Sequence, residues 1–269
     1  MSSQSGNAFG LQFEVTGRED GPVLVFSHAL GGDMSMWDRQ VAKLAASYRI
    51  LRYDMRGHGR SEQPAGSLTL ADLAQDVFRL LDHHSIGPVY FCGLSLGGMV
   101  GQWLGLNAPH RLAGLVLVDT APQMGTVETW NARIAEIERG GMAAISRSTM
   151  ERWFTLEFRQ REPQTVAHFE AVLSATPPAG YIATARVVQQ SVFPRTELQR
   201  LSAIQVPTLI VTGKHDAAAT PAESQLLASY IRHSQYLELP ASHISPVEAS
   251  DLFTDALSAF IESHTTDQH

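Results

Sequence analysis

The feature that most constrains this chain is a rhythm of short apolar runs that do not alternate with polar residues. PVLVFSH (22–28), YRILRYD (48–54), PVYFCG (88–93), LAGLVLVD (112–119), PTLIVTG (207–213) and YLEL (236–239) are rich in Val, Ile, Leu and aromatic side chains. Runs that lack a polar second face read as strands buried on both sides. Helical patterns lie between them. In TLADLAQDVFRLLDHH (69–84) apolar residues fall at 70, 73, 74, 77, 80 and 81, one face of a helix. Thr69 and Asp72 have the form of a capping box at its start. Strand and helix in alternation predict an α/β fold, a mostly parallel central sheet with helices on both faces. LQFEVTGREDG (11–21) reads as an extra N-terminal strand ended by a Gly-bearing turn.

One interval breaks the rhythm. Between LVLVDTAP and PTLIVTG lie roughly eighty residues with helical patterning and no strand, where a connection of about 4–6 residues is usual. ETWNARIAEIERGGMAAISRSTMERWF (128–154), PQTVAHFEAVLSA (163–175) and PAGYIATARVVQQ (178–190) read as its helices. The expected organisation is a sheet domain formed by 1–122 and 201–269, interrupted by a helical cap at 123–200. No repeat or low-complexity segment is present, and the tail SHTTDQH (263–269) reads as frayed.

Composition narrows the partners. The formal net charge of -7 leaves no basic footprint for nucleic acid, so an anionic substrate would need a local cation. The single cysteine, Cys92, excludes an intrachain disulfide and sits in an apolar run, as a buried strand residue would. MSSQSGNAFG has neither a basic nor an apolar leader region, and no stretch approaches the roughly 20 apolar residues of a membrane span. A cytoplasmic protein without a membrane partner is expected. Nothing in the sequence specifies an oligomeric state.

The chemistry concentrates in YFCGLSLGGMVGQ (90–102), where Gly93, Ser95 and Gly97 fit G-x-S-x-G between an apolar strand and a helix-like stretch. In that context the serine is held in a strained turn with its hydroxyl projecting from the sheet edge. Strand and helix then pass so close that a Cβ two residues before or after it would clash. A plain Gly-rich turn, or one cradling a phosphate, is the other reading. A serine nucleophile needs a base, and in the sheet that this motif implies the partners follow in the order Ser, acid, His. Asp216 lies just past a late apolar run and His243 in the loop after the last one. His243 would take the Ser95 proton, while Asp216 would hold its tautomer. Asp119, ending LVLVD, is a second possible acid, and His215 is one position off to face the same way. His83 and His84 suit the negative end of a helix. No pair of histidines has metal-ligand spacing with an acidic partner, so no metal site is expected.

An oxyanion needs two backbone donors. The N–H of Leu96 follows the nucleophile, and HALGG (28–32) supplies the second at Leu30, with Ala29 the alternative. YDMRGHGRSEQP (53–64), with Arg56, Gly57, His58, Gly59 and Ser61, reads as a rigid structural loop at the same edge. In the cap, Trp130 and Arg133 are three apart and share a helix face. They are candidate contacts for a substrate. Trp153 and Phe154 could close an apolar wall.

SHALGG, YDMRGHGRS, GLSLGG, GKHD and ASHIS together resemble the α/β-hydrolase superfamily. SHALGGDMSMWDRQ, FCGLSLGGMVGQWLG, ERWFTLEFRQREP and ATPPAGY look like the 3-oxoadipate enol-lactone hydrolases within it, over nearly the whole chain. Leu96 stands where methionine is common there, and HDAAATPAE lacks a proline that often follows the aspartate. The resemblance implies hydrolysis of an anionic lactone by water, in aromatic catabolism, with no organic cofactor or metal, and makes Arg133 the candidate contact for the lactone's carboxylate. A broad carboxylesterase or cofactor-free haloperoxidase would use the same three residues, and a ligand receptor could share the fold. A dehalogenase or epoxide hydrolase would need an aspartate where Ser95 stands.

Overall fold

The apolar runs assemble into an eight-stranded sheet in the computed structural model, which describes residues 2–191 and 195–265. The strands are β1 (Ser2–Ala8), β2 (Leu11–Gly17), β3 (Val23–Ser27), β4 (Arg49–Tyr53), β5 (Val89–Leu94), β6 (Leu112–Val118), β7 (Thr208–Gly213) and β8 (Ser234–Leu239). Their spatial order is β1-β2-β4-β3-β5-β6-β7-β8. From β4 to β8 every pairing is parallel, and β1 and β2 are added antiparallel. Every residue of β5 and β7 is buried, which is why their sequences show no polar face.

Strand β1 escapes a reading of the sequence. SSQSGNA is polar, and most of its described side chains face solvent. It forms by pairing with β2 through a tight turn at Phe9 and Gly10, both with positive φ (57° and 78°), as a two-residue hairpin of this hand requires.

Helices α1 (Asp38–Leu44), α2 (Leu70–His83) and α3 (Leu96–Asn107) follow β3, β4 and β5. The interval between β6 and β7 holds α4 (Val127–Gly140), α5 (Ala143–Trp153), α6 (Leu156–Arg161), α7 (Pro163–Ala175) and α8 (Pro178–Gln190). Helix α9 (Pro221–Tyr230), the short α10 (Ser245–Glu248) and α11 (Ser250–Thr265) complete the chain. The first helical stretch of the interval divides at Gly141, whose φ of 66° ends α4, and the short α6 has no separate signature in the sequence. Helix α11 runs further than the frayed tail expected from 263 onward. Its Thr265 hydroxyl bonds that of Tyr90 at 3.0 Å; 266–269 lie outside the described residues.

Helix α2 carries the capping box that its sequence predicts: Thr69 and Asp72 satisfy each other's backbone N–H at 2.8 and 3.2 Å. Its inner face buries Leu73, Ala74, Val77, Leu80 and Leu81, and also Asp76. That carboxylate receives the Arg56 guanidinium through two bonds of 2.5 Å and fixes the loop after β4 to the helix. Cys92 is fully buried and free. Among the described residues no helix is long and apolar enough to cross a membrane.

Candidate active site

Ser95 sits at the junction of β5 and α3 with φ 56° and ψ -112°, a conformation that costs an L-residue of order 1–3 kcal/mol. The glycines two residues away make it possible. A Cβ on Gly93 would collide with the Gly97 carbonyl, and one on Gly97 with the Ser27 carbonyl. Two bonds hold the turn: Ser95 N–H donates to Val118 O at 2.9 Å, and Thr120 Oγ1 donates to Ser95 O at 3.0 Å.

The Ser95 hydroxyl lies 2.9 Å from Nε2 of His243 in the loop after β8. His243 Nδ1 lies 2.8 Å from Oδ2 of Asp216, just past β7. The second Asp216 oxygen accepts from the N–H groups of Ala218 and Ala219 at 2.7 and 3.0 Å. All three residues are 5% exposed or less, so bulk water does not compete for these bonds. Burial alone would lower the His243 pKa. The charge and hydrogen bond of Asp216, with help from Asp119, outweigh it and leave the imidazole above its ordinary value.

Asp119, the alternative acid, makes no hydrogen bond to His243. Its two oxygens accept from Gly213 N–H at 2.7 Å and Ser245 N–H at 2.8 Å. It thereby ties the end of β6 to the two loops that carry Asp216 and His243. Burial, then the charge of Asp216, raises its pKa, and the charge of His243 and the hydrogen bond from Ser245 resist that rise. His215 is exposed.

Leu30 and Leu96 both line the cavity above Ser95, and their N–H groups have no acceptor among the described residues. Ala29 does not line it. The Leu30 loop is braced by the RGHG segment: Gly31 N–H donates to His58 Nε2 at 3.0 Å, and Met55 N–H to His28 Nε2 at 2.8 Å. Both imidazoles must be neutral to accept. Burial pulls both pKa values down, His58 to about 3.

The cavity is about 250 Å³, small against the ~300–1,000 Å³ of ligand pockets in general. Trp130, Arg133 and Trp153 all line it. Trp130 Nε1 donates to Met124 O at 2.8 Å. Phe154 does not line it; the ring stacks on Phe158 at 5.1 Å and tilts against Phe169 at 5.8 Å, inside the helical layer. Sequence reasoning passed over Met124, Arg152 and Tyr181, which also face the cavity. No signal distinguishes Arg152 from other helical arginines, although it is adjacent to Trp153. Among the described residues no aspartate or glutamate lines the cavity. Among the described residues no group of three or more His, Cys, Asp or Glu could hold a metal ion.

A hydroxyl bonded to an imidazole, itself bonded to a carboxylate and set beside two free amide donors, is equipped for acyl transfer to water. Fold and site together define an ester or lactone hydrolase. The alpha/beta hydrolase fold model matches residues 22–250, and the chain belongs to that family. It is 35% identical over 252 residues to 3-oxoadipate enol-lactonase 2 of Acinetobacter baylyi, covering 94% of this chain and 93% of the relative. An enol-lactonase from Burkholderia xenovorans LB400, known from its crystal structure, superposes with a TM-score of 0.91 at 37% identity, over 96% of this chain and all of that one. RutD of Variovorax paradoxus, named for carbamate hydrolysis, is 31% identical over 256 residues, 93% of this chain and 96% of its own.

Proposed function

We propose that this enzyme hydrolyses 3-oxoadipate enol-lactone to 3-oxoadipate, in the protocatechuate branch of aromatic catabolism and in the cytoplasm. The observation that carries this reading is the unbroken line from Asp216 through His243 to Ser95, opening into a small cavity with two arginines and no carboxylate. The enol-lactonase relatives support the choice of lactone.

Ser95 Oγ attacks the ring carbonyl while His243 Nε2 accepts its proton. The resulting oxyanion is held by the N–H groups of Leu30 and Leu96. Collapse breaks the ring C–O bond, and His243 returns the proton to the departing enol oxygen. The enol then ketonises, which makes ring opening effectively irreversible. His243 next takes a proton from water, whose oxygen attacks the acyl-serine, and the second tetrahedral species releases the acid and restores Ser95. Asp216 keeps Nδ1 protonated and stabilises the imidazolium in both halves. Residues 123–200 act as a cap, whose Trp130 and Trp153 wall the ring from solvent. Every proton is carried by the chain's own groups and water, so the scheme calls for no organic cofactor or metal.

The test is ultraviolet loss of the enol-lactone, generated in situ, by wild type and Ser95→Ala in parallel. Fast turnover that falls on the order of 10⁴-fold or more in the variant is expected. A fully active Ser95→Ala would remove the nucleophile. A wild type that ignores the lactone yet cleaves p-nitrophenyl acetate would remove the lactone.

A further inference from the structure

Two arginines reach the cavity above Ser95, and their surroundings differ. Arg133, on α4, is committed: Nε donates to the Tyr181 hydroxyl and a terminal nitrogen to Thr149 Oγ1, both at 2.7 Å. Its guanidinium also lies 5.6 Å from the centre of the Tyr181 ring. Arg152, one residue before the end of α5, has no hydrogen bond or ion pair from its guanidinium among the described residues, yet it lines the same cavity. Burial, and then the like charge of Arg133, pull its pKa below the usual arginine value. A partly buried cation with no direct hydrogen bond or ion pair, balanced only through space by the charges of Asp216 and Glu136, is unfavourable. A planar fork with free donors, facing a small cavity without acidic residues, is complementary to one carboxylate.

We propose that the Arg152 guanidinium binds the carboxylate of the substrate, with Arg133 as a fixed second charge that selects for anions. This rests on Ser95 acting as the nucleophile of an ester or lactone hydrolase, and it names the group that reads the acid end of the substrate.

The backbone around Arg152 adds a geometric consequence. Arg152 O accepts from Ser242 Oγ at 2.7 Å, and Trp153 O accepts from Ile244 N–H at 3.2 Å. Ser242 and Ile244 are the two neighbours of His243. Glu248 reinforces the link, accepting from Ser242 N–H at 2.9 Å and from the Thr155 hydroxyl. The anion's anchor and the base are therefore mounted on one strut. It sets the spacing between the substrate's carboxylate and its scissile carbonyl. Replacing the Arg152 side chain leaves both backbone bonds in place, so the histidine loop keeps its tie to the end of α5 in the variant.

Competitive inhibition of p-nitrophenyl acetate hydrolysis by adipate, set against neutral adipamide, tests this in wild type, Arg152→Ala, Arg152→Lys and Arg133→Ala. Arg152→Ala should raise the Ki of adipate roughly 10- to 100-fold and that of adipamide far less. Arg152→Lys should recover part of the loss, because it restores the charge without the fork. Residual p-nitrophenyl acetate hydrolysis reports that each variant is folded. Equal changes for both inhibitors, or a selective loss in Arg133→Ala with none in Arg152→Ala, would overturn the assignment. The same variants assayed on the enol-lactone keep the two readings apart. A selective loss of adipate binding in Arg152→Ala, in a protein whose wild type ignores the lactone, keeps Arg152 and discards the lactone. Rapid lactone turnover with an unchanged KM in Arg152→Ala does the reverse.

Discussion

Ser95, Asp216 and His243 are readable in the sequence because each stands at a fixed offset from the end of a strand. Period and turn residues are enough to locate a strand end. Arg152 is not readable in that way. Arg133 and Arg152 both sit on helices of the interval between β6 and β7, and what separates them is that Thr149 and Tyr181 reach one and not the other. Partners brought together from different helices leave no local trace. The electrostatics around His243 give a prediction at this scale. As general base it must be neutral, so kcat/KM should rise with pH through its pKa, with a midpoint above the ordinary value of about 6.5. Arg152 lowers the His243 pKa, so its removal raises it. The acid limb measured for Arg152→Ala on a neutral ester should therefore move to higher pH. A shift to lower pH would contradict this placement of charges.

Among the elements, the buried parallel strands β3 to β7 were legible, since they cannot afford a polar face. The edge strand β1 was not, because it is held by main-chain bonds to β2 and little by its own side chains. Gly141 was visible as part of a glycine pair but not as a helix break; its φ of 66° ends α4, and α5 packs against that helix. The pairing between the α5–α6 corner and the histidine loop is likewise tertiary. It passes through Glu248, which is nearly buried and bonded to Thr155 and Ser242. Glu248→Ala leaves these donors without their acceptor, and should lower unfolding stability by about 1.5–3 kcal/mol. Urea denaturation checks this, and kcat on a small neutral ester should fall with it. A variant as stable and as active as wild type would show that the strut bears no strain.

For the whole molecule, the buried histidines set the response to acid. His28 and His58 are fully buried and accept N–H bonds from Met55 and Gly31, so the native state keeps them neutral. In the unfolded chain they would protonate near pH 6.5, whereas His58 in the fold does so only at about 3. The unfolded state therefore binds protons first as pH falls. For His58, stability present above about pH 6.5 is lost progressively down to about 3, by about 1.4 kcal/mol per pH unit, and His28, also lowered by burial, acts in the same direction. Thermal unfolding from pH 7 to 5 should show a falling Tm, and a flat profile would contradict the neutral assignment. A chain of net charge -7 concentrates two arginines where its candidate nucleophile lies, which favours a small anion over a neutral ester.

The most direct single measurement is steady-state kcat/KM of the wild-type protein for the enol-lactone, set beside p-nitrophenyl acetate and carbamate under identical conditions. A preference for the lactone on the order of a hundredfold or more is expected from one well-placed carboxylate contact together with a fitted ring. A carbamate or neutral ester turned over equally well or better would contradict the assignment of this site to an anionic lactone.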